Sequence, residues 1–121
     1  MNGYFLPLSA DPWQVFTVDV VLDGAEFHAQ VEIRYLPAPD RWFVSIRDHA
    51  SGELLVNQVP LVCSCGPLND LMFPFAHLRG GKGLGSMFCL RKAESAEQAD
   101  PGRDNLEEFS LLFGDTFDDR Q

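Results

Sequence analysis

Residues 14–36 alternate apolar and polar side chains on either side of an Asp-Gly pair, and that pattern admits little besides a β-hairpin. Phe16, Val18, Val20 and Leu22 fall on one face, with Thr17 and Asp19 on the other. Beyond Asp23-Gly24, the residues Phe27, Ala29, Val31, Ile33 and Tyr35 share a face, opposite His28, Gln30, Glu32 and Arg34. Side chains of a strand point alternately to its two surfaces, so each run has one face for a core and one for solvent. Asp-Gly suits the reversal because a type I′ turn needs positive φ at both central positions.

The same period continues. Trp42, Val44 and Ile46 alternate with Phe43, Ser45 and Arg47, a turn-rich Asp48-His49-Ala50-Ser51-Gly52 follows, and a second apolar run begins at Glu53. The four expected long strands, 14–22, 25–36, 41–47 and 53–62, form a meander of hairpins. Tyr4 to Leu8, containing Pro7, reads as a short edge strand. Residues 86–92 and 109–113 complete the strands. The fold class is therefore all-β, a small antiparallel β-barrel or sandwich. Its expected core is Phe16, Val18, Val20, Phe27, Val31, Ile33, Trp42, Val44 and Ile46.

Between these strands the chain is irregular. Leu68, Leu71 and Met72 are spaced for one helical face, Pro67 suits a first helical position and Pro74 would stop the helix. One or two helical turns capping an open end of the sheets are expected there. Residues 79–85 hold a glycine-rich loop and residues 93–105 a polar one. A single β-domain is expected over 1–114, followed by an acidic, frayed tail at 115–121.

Composition removes several function classes. The chain has 121 residues, enough for one domain that folds without staples, and is 45% apolar with ten Phe. Its net charge is −9, with nine Lys and Arg against eighteen Asp and Glu. Nucleic-acid affinity comes mostly from basic side chains on phosphates, so no nucleic-acid partner is expected, and an anionic membrane is disfavoured for the same reason. No run of about 18 apolar residues could span a bilayer. The first residues lack the basic region of a signal peptide, so the protein is expected to stay in, or assemble from, the cytoplasm in which it is made. Three cysteines fit no even disulfide framework, and reduced thiols are the expectation.

No catalytic or cofactor motif stands up. The glycine loop lacks the Gly-Lys-Ser/Thr of a phosphate loop, because Gly81-Lys82 leads to Gly83. Cys63, Cys65, Cys89 and His77 miss zinc-ligand spacing, so no metal is expected. His28 lies on the polar face of a strand and His49 in a turn, and no Ser/His/Asp or Cys/His constellation stands out around either. Asp19, Glu26 and Glu32 share the solvent side of the hairpin and could approach one another as a carboxylate pair, but solvated acid is the plainer reading. Trp13, Trp42 and Phe43 could stack bases only beside a basic groove, which the charge balance denies.

The order of short segments resembles a known family. Leu6-Pro7-Leu8, Gln14-Val15-Phe16-Thr17-Val18, Asp23-Gly24 and Trp42 through Asp48 come first, then Gly52-Glu53-Leu54-Leu55 and Pro60-Leu61-Val62. Gly66 to Leu71 and Asp100-Pro101 to Asn105-Leu106 close the series. This order, over residues 4–113, is similar to that of the small baseplate plug or hub-core proteins of contractile-tailed bacteriophages, first described in a cyanophage. The Cys63-Ser64-Cys65 stretch stands outside the pattern.

The resemblance implies a structural virion protein with no catalytic residues and no cofactor. It would sit at the centre of the tail baseplate, joining the tail tube to the hub and spike, with tube, hub, spike and wedge proteins as partners and copies arranged in a ring. The apolar excess at Leu68, Leu71, Met72, Phe73, Phe75 and Leu78 marks a candidate contact surface, since exposed apolar patches mark partner sites. The alternative is a small free-standing β-barrel that binds a ligand in an apolar cavity.

Overall fold

The computed structural model describes residues 3–9, 11–63, 70–75, 77–78, 83–91, 101–102, 106 and 109–116. Seven strands are present among them: β1 (Gly3–Phe5), β2 (Trp13–Leu22), β3 (Ala25–Leu36), β4 (Arg41–Asp48), β5 (Leu54–Pro60), β6 (Ser86–Arg91) and β7 (Phe109–Gly114). They form two antiparallel sheets, β2-β3-β4-β5 as a meander and β1-β7-β6. Of the two expected architectures, the sandwich-like one is found rather than a closed barrel.

The alternating pattern settles the larger sheet. Leu22 pairs with Ala25 across the turn, and Asp23 and Gly24 take φ of 52° and 83°, as a type I′ turn requires. Ten consecutive pairs run from there to Trp13 opposite Arg34. Val20, Phe27, Val31, Ile33, Trp42, Val44 and Ile46 are buried, and Phe16 and Val18 are half-buried against the same core. The smaller sheet adds Met87, Cys89, Phe109, Leu111 and Phe113 to that one cluster.

Trp42 is the largest fully buried side chain. Tyr35 tilts against it at 5.3 Å between ring centroids, and its indole N–H donates to the Gly102 carbonyl at 2.6 Å. That bond satisfies the one polar atom the indole carries inward.

The fourth strand of the meander is shorter and less regular than its sequence suggests. Val44 pairs with Val59 but Ile46 with Val56, so β5 carries a bulge. Gln58 sits there at φ 52°, and its N–H donates to the Ser45 hydroxyl at 2.9 Å instead of to a ladder carbonyl.

Three expectations are corrected. The segment before Pro74 forms a single 3₁₀ turn, Phe73–Phe75, with Pro74 inside it rather than ending it. Pro74 has no N–H and disfavours helical geometry at Phe73, so an α-helix cannot extend through it; Leu68 lies outside the described residues. The end of the glycine loop is packed, not free: Gly83, Leu84 and Gly85 are buried, while residues 79–82 lie outside the described set. Cys63 is disulfide-bonded, against the expectation of reduced thiols, while Cys89 is a free buried thiol. Cys63 also bridges Cys89 through the backbone.

The two sheets meet at one corner. The Asp23 N–H donates to Asp115 Oδ1, and Thr116 donates its N–H to Asp23 Oδ1 and its hydroxyl to Asp23 Oδ2, at 2.6–2.9 Å. The head of the expected frayed tail is thus tied to the first hairpin. Residues 117–121 lie outside the described set. Gly85 packs on the same corner, where a Cβ would stand 2.1 Å from the Gly114 carbonyl oxygen and 3.1 Å from Leu22.

Two glycines at similar positive φ separate conformation from contact. Gly52 (φ 74°) faces open space and Gly85 (φ 69°) faces the Gly114 carbonyl. Gly52→Ala is expected to cost about 1 kcal/mol from backbone geometry alone, and Gly85→Ala roughly 3 kcal/mol or more because backbone must also move. Denaturant melts of the two variants check this, and equal losses would refute the close approach.

Candidate interaction surface

Among the described residues, no second layer covers the outer face of the larger sheet. Cross-strand register arranges it in rows: Trp13, Arg34, Phe43 and Pro60 lie side by side, followed by Val15, Glu32 and Ser45. Trp13 is 63% exposed and Val15 49%. Trp13 is nonetheless held in place. Its indole N–H donates to Glu32 Oε2 at 2.8 Å, and the Arg34 guanidinium lies 5.8 Å from the ring centroid. An exposed cation–π contact is worth about 0.5–1 kcal/mol. Together the two contacts keep a large aromatic surface in one position before any partner arrives, which lowers the entropy lost on contact.

The sequence reads Asp19, Glu26 and Glu32 as solvated acid, with a carboxylate pair as the lesser alternative. The register separates them. Asp19 stands opposite His28, Glu26 opposite Val21, and Glu32 opposite Val15, where it serves Trp13. Asp19 instead pairs with His28, Oδ1 to Nδ1 at 2.5 Å, both side chains being largely exposed. His49 lies in the β4–β5 turn and donates its N–H to the His28 carbonyl. Among the described residues, no three His, Cys, Asp or Glu side chains are grouped to hold a metal.

A depression on this face is lined by Gln30, Glu32, Ser45, Arg47, Leu54 and Asn57 and measures about 80 Å³. Ligand sites usually enclose ~300–1,000 Å³ with mostly apolar walls, and this one is small and polar.

The contact surface expected from the sequence is the 68–78 segment, and its residues divide. Leu71 is buried and Met72 is 1% exposed, while Phe75 and Leu78 are half-buried against the core. Phe73 alone of the described apolar members is turned outward, at 58% exposure. Leu71 and Met72 therefore hold the segment to the chain's own sheets and are not free for a partner.

The segment is anchored by two residues that sequence reasoning did not single out, Asp70 and Ser86. Asp70 Oδ1 accepts the N–H groups of Met72 and Met87 at 3.0 Å, and its Oδ2 accepts the Ser86 hydroxyl at 2.7 Å. An Asp at the start of a turn, just before an apolar run, is the one signal that could have found it.

The His28–Asp19 pair has a titration consequence. The hydrogen bond and charge of Asp19 raise the His28 pKa above its ordinary 6.5, with smaller help from Glu26 and Asp48. A raised folded value means that the pair stabilises fully below the ordinary histidine pKa and loses that contribution as pH rises through the folded value. Asp19→Asn is expected to bring the His28 midpoint down toward 6.5, followed through its imidazole proton resonances. An unmoved midpoint would show that Asp19 is not the cause.

No curated protein matches this chain. A family model described as the cyanophage baseplate Pam3 plug gp18 matches residues 4–117, which take in both sheets apart from Gly3 at the start of β1. The chain belongs to this phage baseplate plug family, and so is a structural protein of the virion's tail baseplate.

Proposed function

We propose that the protein is a central plug and hub component of the baseplate, joining the tail tube to the hub and spike through protein–protein contacts. The family match over residues 4–117 carries this reading. Its partners are other tail proteins, from tube, hub, spike or wedge, and copies of the chain stand in a ring whose contacts are head-to-tail rather than self-complementary.

The form of the molecule suits such a role. A packed sandwich with pinned turns gives a rigid body, and the exposed large apolar side chains Phe5, Trp13, Val15, Leu54 and Phe73 give it places to be held. Within the 68–78 segment the contact falls to Phe73. Leu71, Met72, Phe75 and Leu78 support it from beneath. A catalytic step has no part in this role. The ligand-binding alternative would need an enclosed apolar volume, and the polar depression beside Ser45 does not supply one.

Purified tails test the reading directly, by whether they contain this chain. Phe73→Asp is expected to leave the melting transition within about 0.5 kcal/mol of wild type, as exposed substitutions do, and to weaken co-purification with tail proteins. Met72→Ala is expected to cost about 2–5 kcal/mol of stability as a buried truncation. Wild-type incorporation of Phe73→Asp would move the contact elsewhere on the molecule.

A further inference from the structure

We propose that the free edge of β2, centred on Thr17, is a strand-addition site that takes an extended basic segment of a different baseplate protein as a fifth strand of the larger sheet. This rests on the structural role proposed above and names the chemistry of one of its contacts.

The backbone comes first. The turn closes with Leu22 opposite Ala25, so the even-numbered residues of β2 bond to β3 and the odd-numbered ones point their N–H and C=O away from it. Two bonds confirm the direction: the Val21 N–H reaches the Tyr4 hydroxyl at 3.3 Å, and the Trp13 N–H reaches Asp11 Oδ1 at 3.2 Å. Between them, the outward groups of Val15, Thr17 and Asp19 have no partner among the described residues. They form an uninterrupted row of donors and acceptors at strand spacing.

Such an edge is normally blunted by proline, lysine or a bulge. The opposite edge of the same sheet is blunted, since β5 carries a bulge, Gln58 at φ 52° and Pro60. Residues Trp13–Leu22 contain no proline and no basic residue, and their register on β3 is unbroken. Among the described residues β2 is paired on one side only, whereas the sister edge is closed.

The side chains agree. On the inner face Phe16 and Val18 are only half-buried, whereas Val20 and Leu22, beside the smaller sheet, are buried. On the outer face Trp13 and Val15 are exposed. A strand laid along Val15–Asp19 would cover apolar side chains on both faces, since its own side chains alternate in the same way.

Charge selects the occupant. Around this edge four acids, Asp11 before β2, Asp19 on it and Glu26 and Glu32 on β3, outnumber the bases Arg34 and His28, of which His28 is paired with Asp19. Lys or Arg on the incoming strand complements the acids. A second copy pairing through the same edge would set Asp11 and Asp19 against the same acids.

Thr17→Pro tests this, because it removes an outward N–H and costs no bond to β3. Asn57→Lys, exposed on β5, is the control. Each variant is supplied in place of wild type, and its content in purified tails is measured. Thr17→Pro is expected to fall by roughly tenfold or more with an unchanged circular dichroism melt, and Asn57→Lys to remain at the wild-type level. Hydrogen exchange on wild-type baseplates gives a reading that needs no variant: the amides of Val15, Thr17 and Asp19 are expected to be protected there and to exchange freely in the isolated chain. Wild-type chain present in tails with unprotected edge amides, or full incorporation of Thr17→Pro, would overturn the proposal alone. Absence of wild-type chain from tails would overturn the structural role, and the proposal with it. A two-copy species in sedimentation that Thr17→Pro abolishes would assign the edge to a second copy, and so overturn a heterologous partner.

Discussion

The register of β2 on β3 is set by two residues, Asp23 and Gly24, and the assignment of side chains to surfaces depends on it. A slip of one residue would turn Val20 and Leu22 outward and bring Asp19 and Val21 into the core, because strand side chains alternate with a period of two. The turn is held from outside as well as by its own φ values. Asp115 and Thr116 bind Asp23 from 92 and 93 positions away in the chain. The same corner carries the close approach of Gly85 to the Gly114 carbonyl. Local turn chemistry and the packing of one sheet on the other therefore specify a single register, and agreement between levels is what gives a sequence one fold.

Period-two regions were legible from sequence and the rest was not, for a physical reason. Alternation reports which face a strand buries, so β2, β3 and β4 and their core residues could be read directly. It does not report where a strand sits in its sheet. Phe16 and Val18 face the core side as expected yet remain half-buried, since β2 is an edge strand beyond the reach of the smaller sheet at that end. The bulge at Gln58 depends on a hydrogen bond to Ser45, thirteen positions away, and no local pattern announces it. Apolar content in the 68–78 segment marked a contact surface, but content alone could not tell Met72, packed inward, from Phe73, turned outward. The family resemblance was legible because it lies in the order of many weak segments rather than in any one site.

Asp70 illustrates how an irregular segment can be held as firmly as a strand. Its carboxylate joins the 3₁₀ turn to the start of β6 through three donors, and Leu71 adds a backbone bond to Met87. Carboxylates that accept backbone N–H groups make stronger bonds than neutral acceptors. The exposed position of Phe73 is thus a consequence of what is buried on either side of it. Trp13 reaches the same state differently, with Glu32 and Arg34 fixing an exposed ring from the sides. Both aromatics are presented in one orientation.

An open strand edge in a free chain invites self-association, and β2 carries no proline, no lysine and no bulge. The defence here is global. A net charge of −9 makes identical chains repel where their acidic surfaces approach. At physiological ionic strength that repulsion acts over about 8 Å, too short to fend off distant molecules but long enough to oppose two acidic edges in contact. A uniform defence of this kind has a selectivity that a proline or a bulge lacks. Blunting the backbone would refuse every strand, whereas acidic surroundings refuse another acidic strand and welcome a basic one. The edge can therefore stay unpaired while the chain is free and still be ready for the neighbour whose charge is opposite to its own.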